Sequence, residues 1–156
     1  MNFQVVALPE TEFQALYGLS DDALARLGVR TVMAHSASAY PCRVSLRDAD
    51  VGARMFLLNY EHQPAHSPYR SAHAISVQDG AVSKAIAINT IPDVLRMRSL
   101  SVRAFDANGM IVDADVVEGV EAAAVFERLL QNDATAYLHV HNAKRGCYAA
   151  RVERVV

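Results

Sequence analysis

The chain has 156 residues and a mass of 17.0 kDa, and 52% of its residues are hydrophobic while 21% are charged. This length and composition predict one globular domain, residues 1–156, and exclude a disordered, collagenous or coiled-coil protein. The formal net charge is −2, from 15 Lys and Arg residues against 17 Asp and Glu residues, and no basic cluster is present. The sequence therefore predicts neither nucleic acid nor an anionic membrane as a partner.

The location of the protein is predicted from two features of the sequence. No signal-like N-terminus and no run of 18 apolar residues occur, so we expect a cytoplasmic protein. Cys42 and Cys147 are the two cysteines and form no C-x-x-C motif, so we expect both to be reduced core residues.

The N-terminal region is expected to contain short elements. Residues 3–8 predict a strand that ends at Pro9, and residues 11–17 predict a short helix. A second helix is expected to begin after Ser20, a good N-cap residue, and to end before Gly28. Apolar and alternating runs predict further strands at residues 29–33, 42–46, 55–58, 72–77 and 82–88, and a short helix at residues 90–98.

The middle of the chain predicts a β-hairpin whose three-residue loop ends at Gly109. A glycine suits the left-handed position of such a loop. The apolar faces of the two strands coincide when Ala104 lies opposite Val112. This register places Arg103 opposite Asp113, where the two side chains are expected to form a cross-strand ion pair.

The C-terminal third predicts one long helix followed by a second hairpin. Residues 120–131 have an apolar stripe at helical spacing, so this helix is expected to cover one face of the sheet. In the hairpin, Leu138 is expected opposite Val152, with Gly146 in the left-handed loop position. The sequence therefore predicts an α+β fold: a mainly antiparallel sheet on which this helix and the short N-terminal helices pack.

The segment 59–73 is the first candidate for a functional site. It contains three histidines and two prolines, and its position between two apolar strands predicts a long irregular loop. Acid–base and anion-binding side chains are concentrated there, although a loop that only covers the edge of the core is the alternative. Its candidate ligand-binding residues are Tyr60, Glu61, His62, Tyr69 and Arg70.

His139 and His141 form the second candidate, because alternation along a strand points both imidazoles to one face. Their Cα atoms would lie about 6.5 Å apart, a spacing that suits two ligands of one metal ion. A third ligand would have to come from the first candidate segment. The predicted register also places Arg151 beside His139, which disfavours a cation and favours an anion. No metal site is therefore favoured from the sequence, and no cofactor is specified.

Several motifs in the chain resemble a known family. They are P-C-R-V-S-L-R-D-A at residues 41–49, L-L-N-Y-E-H-Q-P at 57–64, S-P-Y-R-S at 67–71, Y-L-H-V-H-N at 137–142 and G-C-Y-A-A-R-V at 146–152. Over essentially its whole length the chain resembles a bacterial family of small proteins, the domain of unknown function number twelve-oh-three. The resemblance implies no activity, cofactor or catalytic residue.

Three hypotheses about function remain open from the sequence. The first is a cytosolic domain or small enzyme that binds a small anionic molecule between the segment 59–73 and the strand of His139 and His141, with Arg70 and Arg151 supplying charge. The second is a metal-dependent hydrolase or oxygenase that uses His139 and His141 as ligands. The third is a protein-interaction domain without a pocket. The residues leave the oligomeric state undetermined.

Overall fold

Ten β-strands and three α-helices are found in this computed structural model, which describes all residues from 1 to 156. The strands are β1 (Asn2–Val6), β2 (Arg30–Met33), β3 (Pro41–Cys42), β4 (Arg47–Asp48), β5 (Arg54–Gln63), β6 (Ser71–Gln78), β7 (Ser99–Phe105), β8 (Ile111–Glu118), β9 (Tyr137–Asn142) and β10 (Tyr148–Val155). The α-helices are α1 (Asp21–Arg26), α2 (Asp93–Arg96) and α3 (Ala122–Gln131), and single 3₁₀ turns lie at Glu10–Glu12, Gln14–Leu16 and Gly119–Glu121. None of the helices is long and apolar enough to span a membrane.

The chain divides into two compact units. The first unit comprises Met1–Val6, Glu61–His73 and Ala85–Val156, and the second comprises Ala7–Tyr60 and Ala74–Lys84. The candidate site described below lies within the first unit.

The first unit contains a five-stranded antiparallel sheet in the order β1-β10-β9-β7-β8. Helix α3 lies against one face of it, where Phe126 is fully buried and packs edge-to-face on Phe3 with ring centroids 5.4 Å apart. The predicted long helix is confirmed in the C-terminal half of the chain. An α+β architecture dominated by antiparallel strands is likewise confirmed.

The second unit contains the N-terminal elements and departs from the prediction in detail. Ser20 caps α1 through its side chain as expected, but the first predicted helix is two 3₁₀ turns. The short N-terminal helices of the prediction are therefore not well supported. Residues 43–46 form a turn in which Leu46 has a φ of 51°, and residues 82–88 form no strand, so both strand predictions were wrong.

The β7–β8 hairpin has the predicted loop and a different register. Gly109 has a φ of 77°, as expected for its loop position. Ala104 pairs with Asp113 rather than with Val112, which is left without a partner as a β-bulge. The extra residue moves Asp113 to the face of the sheet that α3 covers, where its carboxylate lies 3.3 Å from a guanidinium nitrogen of Arg128. The predicted ion pair of Asp113 with Arg103 was therefore wrong.

The β9–β10 hairpin follows the predicted register except near its loop. Leu138 pairs with Val152, and Gly146 has a φ of 77°, so both expectations are confirmed. A second bulge at Ala149 then shifts the pairing, because Tyr148 rather than Ala149 lies opposite His141. The bulge therefore brings an aromatic ring to the histidine face of the sheet.

Candidate metal centre

Two of the histidines at the site are supplied by β9. Alternation along the strand turns Leu138 and Val140 toward α3, so His139 and His141 share the opposite face. Their side chains are 3% and 1% exposed. Fully buried imidazoles are unusual without hydrogen-bond partners, which makes the surroundings of these two rings informative.

The third histidine comes from the end of β5. The segment 59–73 was predicted to be an irregular loop, but β5 continues to Gln63 and β6 begins at Ser71, so only residues 64–70 connect them. His62 is the penultimate residue of β5 and is 9% exposed. Its neighbour Gln63 donates a hydrogen bond from Nε2 to the hydroxyl of Tyr137, at 2.9 Å. This bond fixes the end of β5 against β9.

The three imidazoles form a compact cluster. One ring nitrogen from each of His62, His139 and His141 lies within 4.8 Å of the others. The ring centroid of His62 is 4.9 Å from that of His141 and 6.1 Å from that of His139. The segment and the strand that the sequence singled out separately are therefore brought together, through His62.

Each ring in the cluster has a buried nitrogen without a hydrogen-bond partner. These atoms are Nδ1 of His62, Nδ1 of His139 and Nε2 of His141. The opposite nitrogen of His141, Nδ1, lies 2.9 Å from the carbonyl oxygen of Gly146. Because a carbonyl oxygen only accepts, Nδ1 must carry the proton, and Nε2 therefore presents a lone pair. A backbone carbonyl that orients a histidine in this way is the usual outer-shell partner of a metal ligand.

Burial keeps all three rings uncharged. It lowers the pKa of His62 to about 4 and the pKa values of His139 and His141 to about 3, and the positive charge of Arg103 acts in the same direction on each. The carbonyl of Gly146 opposes part of this effect at His141. Near neutral pH the cluster therefore consists of neutral imidazoles, the form that binds metal ions.

Tyr148 supports the cluster and was not identified from the sequence. Its ring is 3% exposed and stacks parallel to the ring of His62, with centroids 5.5 Å apart. It also meets the rings of His139 and His141 edge-on, at 5.2 and 5.8 Å. Only the bulge at Ala149 gives Tyr148 this position, and a strictly alternating strand would have turned it to the other face.

The other residues predicted for the site lie elsewhere or are engaged. Tyr60 belongs to the second unit, where its hydroxyl donates to a carboxylate oxygen of Glu12 at 2.8 Å. Glu61 and Arg70 form an exposed ion pair at 3.0 Å. Tyr69 is 40% exposed and meets Phe105 edge-on. Neither Glu61 nor Arg70 therefore joins the cluster of buried rings.

Arg151 flanks His139 as predicted, but its charge is already paired. It lies opposite His139 in the β9–β10 register. Its Nε donates to Glu153 Oε1 at 2.6 Å, and its guanidinium carbon is 3.9 Å from the ring centroid of Tyr137. Glu153 therefore holds the guanidinium of Arg151, while the positive charge of Arg151 still lowers the pKa of His139.

The donor set fits a transition-metal ion of the zinc type. Three neutral imidazoles without a carboxylate match the three-histidine centres in which a fourth position is left for water. Nitrogens in a tetrahedral zinc site lie about 3.3 Å apart, given Zn–N distances of about 2.0–2.1 Å. The nitrogens of the cluster lie within 4.8 Å of one another, so the separations are within about 1.5 Å of this value.

The connection after His62 is anchored at Gly109, and this contact gives a testable prediction. Ser67 Oγ donates to the carbonyl oxygen of Gly109, and a Cβ at Gly109 would lie 2.4 Å from the Cβ of Ala65. We expect Gly109→Ala to lower the free energy of unfolding by about 2–4 kcal/mol, since it combines overpacking with a left-handed backbone. Urea denaturation measures the loss.

The double variant Gly109→Ala/Ala65→Gly is the control for this prediction. It restores the space but keeps the backbone strain, so we expect it to recover more than half of the lost stability. Equal stability of the single and double variants would show that the close approach of Ala65 is not what requires glycine.

Comparison with protein families gives one match. Residues 39–154 match the model of a family described as a protein of unknown function, DUF1203. The match covers most of the chain, including all three histidines of the cluster, and it confirms the resemblance found from the sequence motifs. Neither the comparison with curated proteins nor that with solved structures gives a match.

Proposed function

The chain belongs to the DUF1203 family, whose description names no activity, and from the site itself we propose that the protein is a metal-dependent hydrolase. In this proposal His62, His139 and His141 hold one divalent transition-metal ion. The single observation that carries it is the cluster of three buried imidazoles, in which one ring nitrogen of each lies within 4.8 Å of the others. Each of these rings also has a buried nitrogen without a protein partner. A buried polar atom without a partner destabilises a fold by about 1–3 kcal/mol, so three together in one place require an explanation that a bound ion supplies.

The chemistry of the cluster favours hydrolysis over oxygenation. Non-haem iron oxygenases use two histidines and one carboxylate, whereas Glu61, the acid that the sequence predicted for the site, pairs with Arg70 at the surface. Three imidazoles leave a zinc ion its full charge of +2 and an open fourth position, which lowers the pKa of a bound water to about 7. Zinc would then supply hydroxide at neutral pH, while the three histidines hold the ion in a fixed geometry.

The remaining parts of the functional hypotheses are proposals of lower rank. The anion-binding pocket built on Arg70 and Arg151 has less support, because both arginines are paired with glutamates. We also propose a cytoplasmic location, the compartment in which free cysteines such as Cys42 and Cys147 stay reduced. No observation specifically favours a protein-interaction domain.

Metal content tests the proposal directly. We expect the chelator-treated protein to bind about one equivalent of Co²⁺ or Zn²⁺ per chain, and the Co²⁺ form to show the visible absorption of a four-coordinate nitrogen site. Replacing any of the three histidines by glutamine should weaken binding by about a hundred-fold or more, since a third of the donor set is lost. His66→Gln is the matched control, because His66 is exposed and lies outside the cluster.

A hydrolysis assay tests the second half of the proposal. Hydrolysis of an activated ester such as p-nitrophenyl acetate should cease when the metal is removed by a chelator and return when Zn²⁺ is added. Failure of the wild-type protein to bind a stoichiometric metal ion contradicts the whole proposal. Tight binding without metal-dependent hydrolysis contradicts the reaction and leaves a metal-binding protein.

A further inference from the structure

Arg103 is a partly buried cation next to the histidine cluster, and no carboxylate pairs with it. It lies on β7 directly opposite His139 in the register, on the same face of the sheet. Its one hydrogen bond is a long contact of Nε with Ser101 Oγ at 3.5 Å. The acid that the sequence predicted as its partner, Asp113, is turned to the other face by the bulge at Val112 and binds Arg128 instead.

Arg103 and Arg151 flank His139 symmetrically but differ in how their charges are balanced. Arg151 forms an ion pair with Glu153 and its guanidinium lies over the ring of Tyr137. Arg103 has neither an acid nor an aromatic face to contact, and its neighbour across the β7–β8 ladder is Ala114. Arg103 is half-buried, and a partly desolvated guanidinium without an anion is unfavourable. Its terminal nitrogens are therefore available to an external acceptor.

We propose that Arg103 makes this centre a site for a small oxyanion, a carboxylate or a phosphonate-like group, that is held by the guanidinium and the metal ion together. The inference rests on the proposed function, because it requires a metal ion at His62, His139 and His141. A divalent ion on three neutral imidazoles beside an unpaired arginine has a local charge of +3, and only an anionic ligand reduces it. A guanidinium binds the two oxygens of such a group in a bidentate manner, which makes Arg103 a specificity-determining residue for anionic substrates.

The Co²⁺-loaded protein provides the test. Its visible spectrum is titrated with acetate in one arm and with methylphosphonate in another, and a change in the absorption bands reports entry of the anion beside the metal. We expect Arg103→Gln to raise the dissociation constant of the preferred anion by about ten- to a hundred-fold, the cost of losing charge-assisted hydrogen bonds. Arg103→Lys keeps the positive charge but loses the bidentate geometry of the guanidinium. Its dissociation constant is therefore expected to lie between those of the wild type and Arg103→Gln.

Arg151→Gln is the matched control, since it removes an arginine that flanks the same histidine but already has its own partners. We expect it to change anion affinity less than three-fold. Thermal unfolding of each variant and its Co²⁺ stoichiometry establish that the fold and the metal site are intact.

The outcomes separate the two proposals. Absence of Co²⁺ binding in the wild-type protein overturns the metal centre, and the anion site falls with it. Normal Co²⁺ binding with equal anion affinity in the wild type and in Arg103→Gln overturns the role of Arg103 alone. A response to acetate but not to methylphosphonate assigns the ligand as a carboxylate, and the reverse assigns it as a phosphonate-like group. No spectral change with either anion also overturns the proposal.

Discussion

The metal-free protein is expected to lose stability steeply as the pH falls below about 6.5. In the folded state the pKa of His62 is about 4 and those of His139 and His141 are about 3, while each is near 6.5 in the unfolded chain. Between these limits the unfolded state binds more protons, so acid favours unfolding. Each histidine lowers the free energy of unfolding by about 1.4 kcal/mol per pH unit, and three together by about 4 kcal/mol per unit. Above pH 7 the effect is absent.

The charged groups around the cluster strengthen this expectation. Arg103 on β7, Arg151 on β10 and His73 on β6 each disfavour protonation of one or more of the three rings. No acidic group acts on the three histidines in the opposite direction. The loss of stability is therefore large against the 5–15 kcal/mol that stabilises a typical domain.

Urea denaturation of the chelator-treated protein at pH 7.5, 6.5, 5.5 and 5.0 measures this dependence. The range ends at pH 5, above the region in which paired carboxylates such as Asp21 begin to contribute. His139→Gln should remove about a third of the slope below pH 6.5. His66→Gln is the matched control, at an exposed histidine outside the cluster. Equal stability at pH 7.5 and pH 5 in the wild-type protein would falsify the assignment of three neutral buried imidazoles.

The features of the site that follow from local rules could be predicted from the sequence. Strict alternation in Y-L-H-V-H-N placed His139 and His141 on one face, and Gly146 fixed the loop that sets the pairing with β10. The same rules gave the long helix and the antiparallel character of the sheet. These predictions succeeded because side-chain period and left-handed glycine positions are properties of a few adjacent residues.

Two β-bulges set the parts of the site that could not be predicted. The bulge at Val112 or at Ala149 adds one unpaired residue, so the side chains on one side of it point to the opposite face of the sheet from the one that alternation predicts. Nothing in the local sequence pattern distinguishes a bulged strand from a regular one. One bulge removed the acid expected beside Arg103, and the other supplied Tyr148. Tertiary packing, with Arg128 of α3 binding Asp113, outweighs the cross-strand pair that alternation favours.

His62 is an intermediate case. It was named as a candidate, but Pro64 and Pro68 led to the prediction of an irregular segment, whereas β5 runs to Gln63 and ends just before the first proline. A proline ends a strand without disturbing the residues before it, so the run L-L-N-Y-E-H-Q could have been interpreted as a strand. The position of His62 next to β9 depends on long-range contacts, such as the hydrogen bond from Gln63 to Tyr137. The spacing of residues in the sequence does not specify such contacts.

Replacement of Tyr148 by alanine is expected to lower the free energy of unfolding about as much as one pH unit of acidification does in the metal-free protein. The ring is 3% exposed and contacts all three imidazoles of the cluster. Removal of the ring leaves a cavity next to the three imidazoles, so we expect Tyr148→Ala to lower the free energy of unfolding by about 3–5 kcal/mol. Because the parallel stacking on His62 is lost as well, Co²⁺ affinity should fall at least ten-fold in whatever protein remains folded.

Two control variants separate packing from other effects of this substitution. Tyr148→Phe keeps the ring, so the difference between the Phe and Ala variants in urea denaturation isolates the contribution of aromatic packing to stability. Tyr69→Ala removes a tyrosine of the same unit that is 40% exposed, and we expect it to cost less than about 1.5 kcal/mol. If Tyr148→Ala is no more destabilising than Tyr69→Ala, the ring of Tyr148 does not support the histidine cluster. The geometry of the centre would then be held by β5 and β9 alone.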